Sequence, residues 1–235
     1  MTQEIELLCI TAASIGFIHT VLGPDHYLPF VVMSRSGKWS SFKTGIITVL
    51  CGVGHVSSSV VLGFIGIALG TAVARLEAIE SVRGELAAWV LISFGLVYMV
   101  WGIRRGIRHK GHHGHLHLGK MTIHTDESTS AVSVTKEGGS EISLTPWILF
   151  TVFVLGPCEP LIPLVMYPAA KSNLAGAALV AGIFSVVTIA TMTMVVFVLR
   201  AGVSLLPLQH LERYIHAIAG GTILLCGLSI RFLGL

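Results

Sequence analysis

Residues 22–33 read LGPDHYLPFVVM, and residues 155–166 read LGPCEPLIPLVM. Six of the twelve positions are identical without a gap, and Phe17/Phe150 and Val21/Val154 extend the match upstream at the same offset. Chance likeness between two Leu- and Val-rich segments is the plain alternative. The shared Leu-Gly-Pro opening and Leu-x4-Met frame argue instead for an internal duplication. Farther along, Gly95-x6-Gly102 echoes Gly220-x6-Gly227. Both copies carry prolines, Pro24 and Pro29 in the first and Pro157, Pro160 and Pro163 in the second. Proline inside a helix removes an N–H and clashes with the preceding turn, so each copy predicts a broken helix.

The surroundings of the two copies set the solvent. Of 235 residues, 53% are hydrophobic and only 11% charged, and the mean hydropathy is +0.82. Soluble domains carry about 25% charged residues, so this composition excludes a water-coated globule and points to an integral membrane protein. Four cysteines (Cys9, Cys51, Cys158, Cys226) lie in apolar surroundings without CxxC spacing, which argues against a disulfide scaffold. Met1-Thr2-Gln3-Glu4 lacks the positive start of a cleavable signal peptide, so the first apolar run is expected to remain in the protein.

Six stretches are long and apolar enough to cross about 30 Å of hydrocarbon: 7–33, 44–72, 86–103, 144–169, 174–199 and 214–234. The runs are continuous rather than alternating, so helices are the expected spanning form. The loops after the first, third and fifth stretches hold eleven Lys and Arg, against four on the other side. The positive-inside rule then places those loops in the cytoplasm and both termini outside. With three spans in each copy, the halves must run in opposite directions. The expected fold is all-α: six transmembrane helices as two inverted three-helix repeats, 1–103 and 144–235, whose first helices are broken by proline. Inverted repeats are a transporter signature, with the site near the bilayer midplane. No nucleic-acid partner is expected; a homo-oligomer is compatible with this plan.

Of the 27 charged residues, Asp25, Glu159 and Arg231 are the ones that fall inside these stretches. Arg231 is close enough to the C-terminus to snorkel. A carboxylate facing lipid costs roughly 2.5–3.5 kcal/mol, and the repeat aligns Asp25 with Cys158 and His26 with Glu159, so both deep carboxylates occupy one duplicated motif. His19 precedes His26 by seven residues, two helical turns. His55 sits in GVGHVSSSVV, a small-residue face that allows close helix approach. A structural reading exists for each: His55 as a helix-to-helix hydrogen bond, Cys158 as an inert buried thiol. Together, His19, Asp25, His26, His55, Cys158 and Glu159 compose a transition-metal site, because imidazole suits nickel, cobalt, copper and zinc and a carboxylate offsets dication charge.

The string His19-Thr20-Val21-Leu22-Gly23-Pro24-Asp25-His26 resembles the histidine-plus-Asp-His signature of the nickel/cobalt transporter superfamily. It is most similar to the urease-accessory-like and nickel/cobalt efflux branch, and the GVGH around His55 resembles the second-helix Gly-x-x-His of that group. The best-known signature has four residues between the first His and the Asp, whereas five separate His19 from Asp25. The resemblance implies a bacterial inner-membrane protein that moves nickel or cobalt as substrate and holds no permanent cofactor. LGPCEPLIPLVM is also similar to the Pro-Cys-x-x-Pro frame of membrane thiol-disulfide electron carriers. Those need a cysteine in each repeat, and here the matching position is Asp25.

Residues 104–143 form a third kind of segment, opening RRGIRHKGHHGHLHLGK and holding six of the eleven histidines. Its polar, glycine-spaced composition predicts a flexible cytoplasmic loop that collects metal or acts as a basic tether. The combined expectation is a secondary transporter of a divalent transition metal, in the export direction, and not an enzyme. No GxxxxGK[ST] motif is present for ATP binding. The competing expectations are electron transfer through Cys158 and export of a small anion or organosulfur compound.

Overall fold

A computed structural model of the chain describes residues 3–108, 144–158, 160–170, 173–204 and 212–233. Among them the regular structure is helical: α1 (Gln3–Leu22), α2 (Leu28–Ser36), α3 (Ser41–Ala68), α4 (Val73–Arg108), α5 (Leu144–Leu155), α6 (Leu161–Ala170), α7 (Leu174–Ser204) and α8 (Ile215–Leu233). Single 3-10 turns occupy Pro24–His26 and Glu212–Tyr214. Five helices are long and apolar enough to cross a membrane (α1, α3, α4 over Val73–Ile107, α7 and α8), and α5 and α6 are shorter apolar helices. Their outer faces expose large apolar side chains such as Leu7, Val61, Val97, Val186 and Leu225. Water would not tolerate so continuous an apolar surface; lipid would. This is the make-up of a multi-pass α-helical membrane protein.

The two duplicated motifs fall where helices stop. α1 ends as the Gly23 N–H bonds back to the His19 carbonyl at 3.0 Å. Pro24 then offers no N–H, and a tight turn closes with the His26 N–H on the Gly23 carbonyl at 3.1 Å before α2 begins. α5 ends likewise at Gly156, whose N–H reaches the Val152 carbonyl at 2.8 Å, and α6 starts as the Leu161 N–H bonds to the Cys158 carbonyl at 3.0 Å.

Glycines set the close helix contacts. Gly95 and Gly102 of α4 face the backbone of α8 at Gly220, Leu224 and Ala217, and Gly220 and Gly227 face α4 at Met99 and Ile92. A Cβ on Gly95 would lie 2.9 Å from the Gly220 carbonyl oxygen, and one on Gly220 would lie 2.8 Å from the Gly95 carbonyl oxygen. The echoing Gly-x6-Gly pairs are therefore the two sides of one seam, where the absence of side chains lets backbones touch. Elsewhere Gly16 of α1 abuts Thr188, and Gly52 of α3 abuts Ile189, which brings the last turns of α1 and the middle of α3 to the centre of the 31-residue α7.

Two apolar clusters fill the interior. One joins Phe30, Met33, Leu91, Tyr98, Phe153, Met192 and Ile223; Phe30 and Phe153 meet with ring centroids 4.7 Å apart. The other joins Ile5, Cys9, Cys158, Leu161, Val180 and Phe184. At one end of the molecule the tip of α2 meets that of α7, as Arg35 donates to the Val203 carbonyl at 3.2 Å. There too Arg200 donates to the Trp39 carbonyl at 2.7 Å and to Thr44 Oγ1. This is the basic face.

Helix α4 departs from the expected span at 86–103. It begins at Val73 and continues to Arg108, so Glu80 and Arg83 lie on a membrane-length helix rather than in a loop. Glu80 is fully buried, which corrects the expectation that Asp25, Glu159 and Arg231 are the charges within the spans. At the other end the helix runs on past Arg104 and Arg105 to Arg108 instead of giving way to a loop at 104. Residues 109–143, which hold the His-rich stretch, lie outside the described residues.

Candidate metal centre

The break after α1 positions the first two histidines. His19 is on the last turn of α1 and His26 ends the 3-10 turn, so the reversal at Gly23–Pro24 folds the second ring back onto the first. Their ring centroids are 4.8 Å apart, edge to face. His55, from the middle of α3, meets His26 on its other side with centroids 5.0 Å apart. One ligand nitrogen from each of the three rings lies within 4.8 Å of the other two. Three atoms so spaced all lie within about 2.8 Å of some common point. An inward shift of less than about 1 Å per ring reaches the 2.0–2.1 Å of a metal–imidazole bond.

The hydrogen bonds on the opposite edges fix which nitrogen faces the centre. His26 Nδ1 is 3.2 Å from the Gly23 carbonyl oxygen, and His55 Nδ1 is 3.3 Å from the Phe153 carbonyl oxygen. A carbonyl can only accept, so both Nδ1 atoms carry the proton and both Nε2 atoms present a lone pair. His19 Nε2, His26 Nε2 and His55 Nε2 are all buried and without a hydrogen-bond partner among the described residues. Two such lone pairs and a third unpartnered imidazole nitrogen in a low-dielectric interior are costly unless something electrophilic joins them. A backbone carbonyl on Nδ1 and a metal on Nε2 is the usual arrangement of a metal-bound histidine.

Both motif glycines make room for these rings. A Cβ on Gly23 would lie 2.5 Å from His26 Nδ1 and 2.9 Å from Asp25 Oδ1, and one on Gly156 would lie 3.2 Å from His55 Nδ1. The Leu-Gly-Pro repeat thus does one job twice: it ends a helix and leaves an imidazole-sized space against the exposed carbonyls. Gly23→Ala is expected to push the His26 ring off the centre and weaken metal binding at least about tenfold, a second-shell-sized loss. Equilibrium titration of the purified variant with Ni²⁺ measures it.

Asp25 lies beside the triad rather than within it. Its Oδ1 is 3.3 Å from His26 Nδ1, and it lines a cavity of about 490 Å³ together with His19, His26 and Glu85. At the rim of this cavity Glu85 pairs with Arg231 at 3.8 Å, both well exposed. Prolines 157 and 160 also line it, so the second motif contributes its backbone turn to the approach. Cys158 does not join the histidines: its fully buried side chain packs in the second apolar cluster. All four cysteines are free and buried. Glu159 lies outside the described residues.

Sequence reasoning missed the polar group behind the site. The Arg83 guanidinium donates to Glu80 Oε1 at 2.5 Å, to Ser58 Oγ at 2.6 Å, and to the Val154 and Gly156 carbonyls at 2.8 and 3.3 Å. Glu80 Oε2 accepts the Cys158 N–H at 3.2 Å. Arg83 and Glu80 therefore satisfy backbone groups that the α5–α6 break leaves open, next to the Phe153 carbonyl that holds His55. Their i,i+3 spacing on a helix was the signal available in the sequence.

No protein-family model, curated protein or solved structure matches the chain. Fold and site together define an α-helical membrane protein with a buried three-histidine cluster beside a carboxylate-lined cavity.

Proposed function

We propose that this chain is a secondary transporter of a divalent transition-metal ion of the nickel and cobalt class. The observation that carries the reading is the convergence of three imidazoles whose Nε2 atoms are buried and unpartnered among the described residues, two of them, His26 and His55, held on the Nδ1 side by backbone carbonyls. Nitrogen-rich sites of this kind favour the later first-row dications over magnesium or calcium, which require oxygen. Asp25 at the cavity wall offsets part of the ion's charge on its way to the rings. In this reading α1 with α2, and α5 with α6, each make one broken crossing, giving six crossings in two inverted repeats. The pairing of Gly95/Gly102 with Gly220/Gly227 supports that symmetry, since helices in corresponding positions meet there.

The cavity gives the ion a route from the face where Glu85 and Arg231 lie. Toward the basic face, the Phe30–Phe153 contact and its cluster close the way. Alternating access requires these two barriers to exchange. The positive-inside rule makes the basic face cytoplasmic, and the resemblance to the nickel/cobalt transporters implies a bacterial inner membrane. The electron-carrier alternative needs Cys158 to open and close a disulfide with a second cysteine within reach, and thiol trapping tests it.

Purified protein in liposomes is expected to carry Ni²⁺ or Co²⁺ flux. Asp25→Asn should lower that flux at least about tenfold, through loss of the compensating charge. Flux equal to wild type in both Asp25→Asn and His26→Ala would end this reading.

A further inference from the structure

The basic face holds a second cavity, of about 560 Å³, with a chemistry opposite to the first. Arg35, Lys38, Arg105, Arg200 and Arg213 line it together with His216, and none of its described lining residues is a carboxylate. Cations at a cytoplasmic membrane edge are ordinary when they reach into water. These differ, because Arg35, Arg105 and Arg200 are half-buried and come from three separate helices around one space.

Among the described residues their donors are only partly spent. A guanidinium has five N–H groups. Arg35 uses one on the Val203 carbonyl, and Arg213 uses one on the Tyr214 hydroxyl at 2.6 Å. Arg105 stacks on Trp101 at 5.4 Å, which orients its plane without engaging its N–H groups. Arg200 differs, since its bonds to Trp39, Ser40 and Thr44 tie α7 to the start of α3. Lys38 adopts φ +48°, the left-handed region that non-glycine residues avoid. Like charges gathered in a half-buried space repel one another unless an anion joins them, and arginine forks match phosphate oxygens in geometry.

We propose that this cavity is a binding site for a phosphate-bearing anion that joins the ends of α2, α4, α7 and α8. A metal cation is repelled there, so the ligand is distinct from the one the histidines would hold. The anion is a free phosphate compound or the phosphate of an anionic lipid, since the ends of membrane-crossing helices lie at headgroup depth.

The test uses full-length protein in nanodiscs and reads the thermal unfolding midpoint. Inorganic phosphate replaces chloride at matched ionic strength in phosphatidylcholine; separately, phosphatidylglycerol replaces phosphatidylcholine without added phosphate. A rise of about 5 °C at large excess in the first arm assigns a soluble phosphate, and in the second a lipid. Either rise should vanish in Arg35→Gln/Arg105→Gln, each shift being read against that variant's own midpoint in phosphatidylcholine and chloride. It should persist in Arg104→Gln, an exposed arginine outside the cavity. No rise in either arm, a rise that survives in the double variant, or one lost equally in Arg104→Gln overturns the proposal.

Discussion

Replacing His26 with alanine is expected to lower Ni²⁺ affinity at least about 100-fold while leaving the fold intact. His26 is the middle ring of the triad, 4.8 Å from His19 and 5.0 Å from His55, so without it two imidazoles remain with no third to complete a face. Loss of second-shell partners alone typically costs 10–100-fold in metal affinity, and a ligand lost from the first shell should exceed that. The effect on stability is a contest between two opposing terms. The ring is 3% exposed, so its removal leaves a cavity. It also removes a buried nitrogen that has no partner among the described residues, which relieves a desolvation penalty of comparable size. Titration calorimetry and thermal unfolding separate the two readouts. Affinity within threefold of wild type would mean that the three nitrogens do not act together.

Arg83→Met is expected to destabilise the protein by about 3–5 kcal/mol, the range for breaking a buried ion pair from one side. Glu80 is fully buried and would lose the cation paired with it. The Val154 and Gly156 carbonyls would lose their donor in a region where lipid and protein supply no replacement. Replacing both residues, as in Glu80→Leu/Arg83→Met, should recover part of that loss, because no uncompensated charge remains and only backbone groups stay open. Unfolding midpoints in detergent measure the ordering wild type, double variant, single variant. A single variant as stable as wild type would mean that water already reaches Glu80.

The site was legible in proportion to how local it is. His19, Asp25 and His26 lie within eight residues, and proline between them announces a reversal, so their convergence could be read from spacing and backbone chemistry. His55 was readable as a polar residue in a small-residue helix face, but its partner ring comes from another helix, and only packing joins them. Cys158 occupies the motif position that matches Asp25, yet its side chain turns into an apolar cluster with Cys9 and Phe184. Repeat symmetry fixes backbone placement, not where each side chain points. Glu80 and Arg83 were assigned to a loop because charge lowers the hydropathy of 73–85. A hydropathy window counts each charge as exposed and cannot see that the two neutralise one another and serve backbone groups of a distant helix break.

The sequence by itself determined that lipid is part of this protein's solvent, that its helices break at Gly23–Pro24 and Gly156–Pro157, and that histidine and carboxylate lie beside the first break. Composition and backbone stereochemistry act locally and leave little choice on those points. The tertiary structure decided that nitrogens of three imidazoles lie within 4.8 Å of one another, that Gly95 and Gly102 meet Gly220 and Gly227, and that Arg83 and Glu80 bind the open ends of α5 and α6. Each is a contact between helices far apart in sequence. Such contacts depend on the distance and orientation at which helices pack, which no local pattern carries.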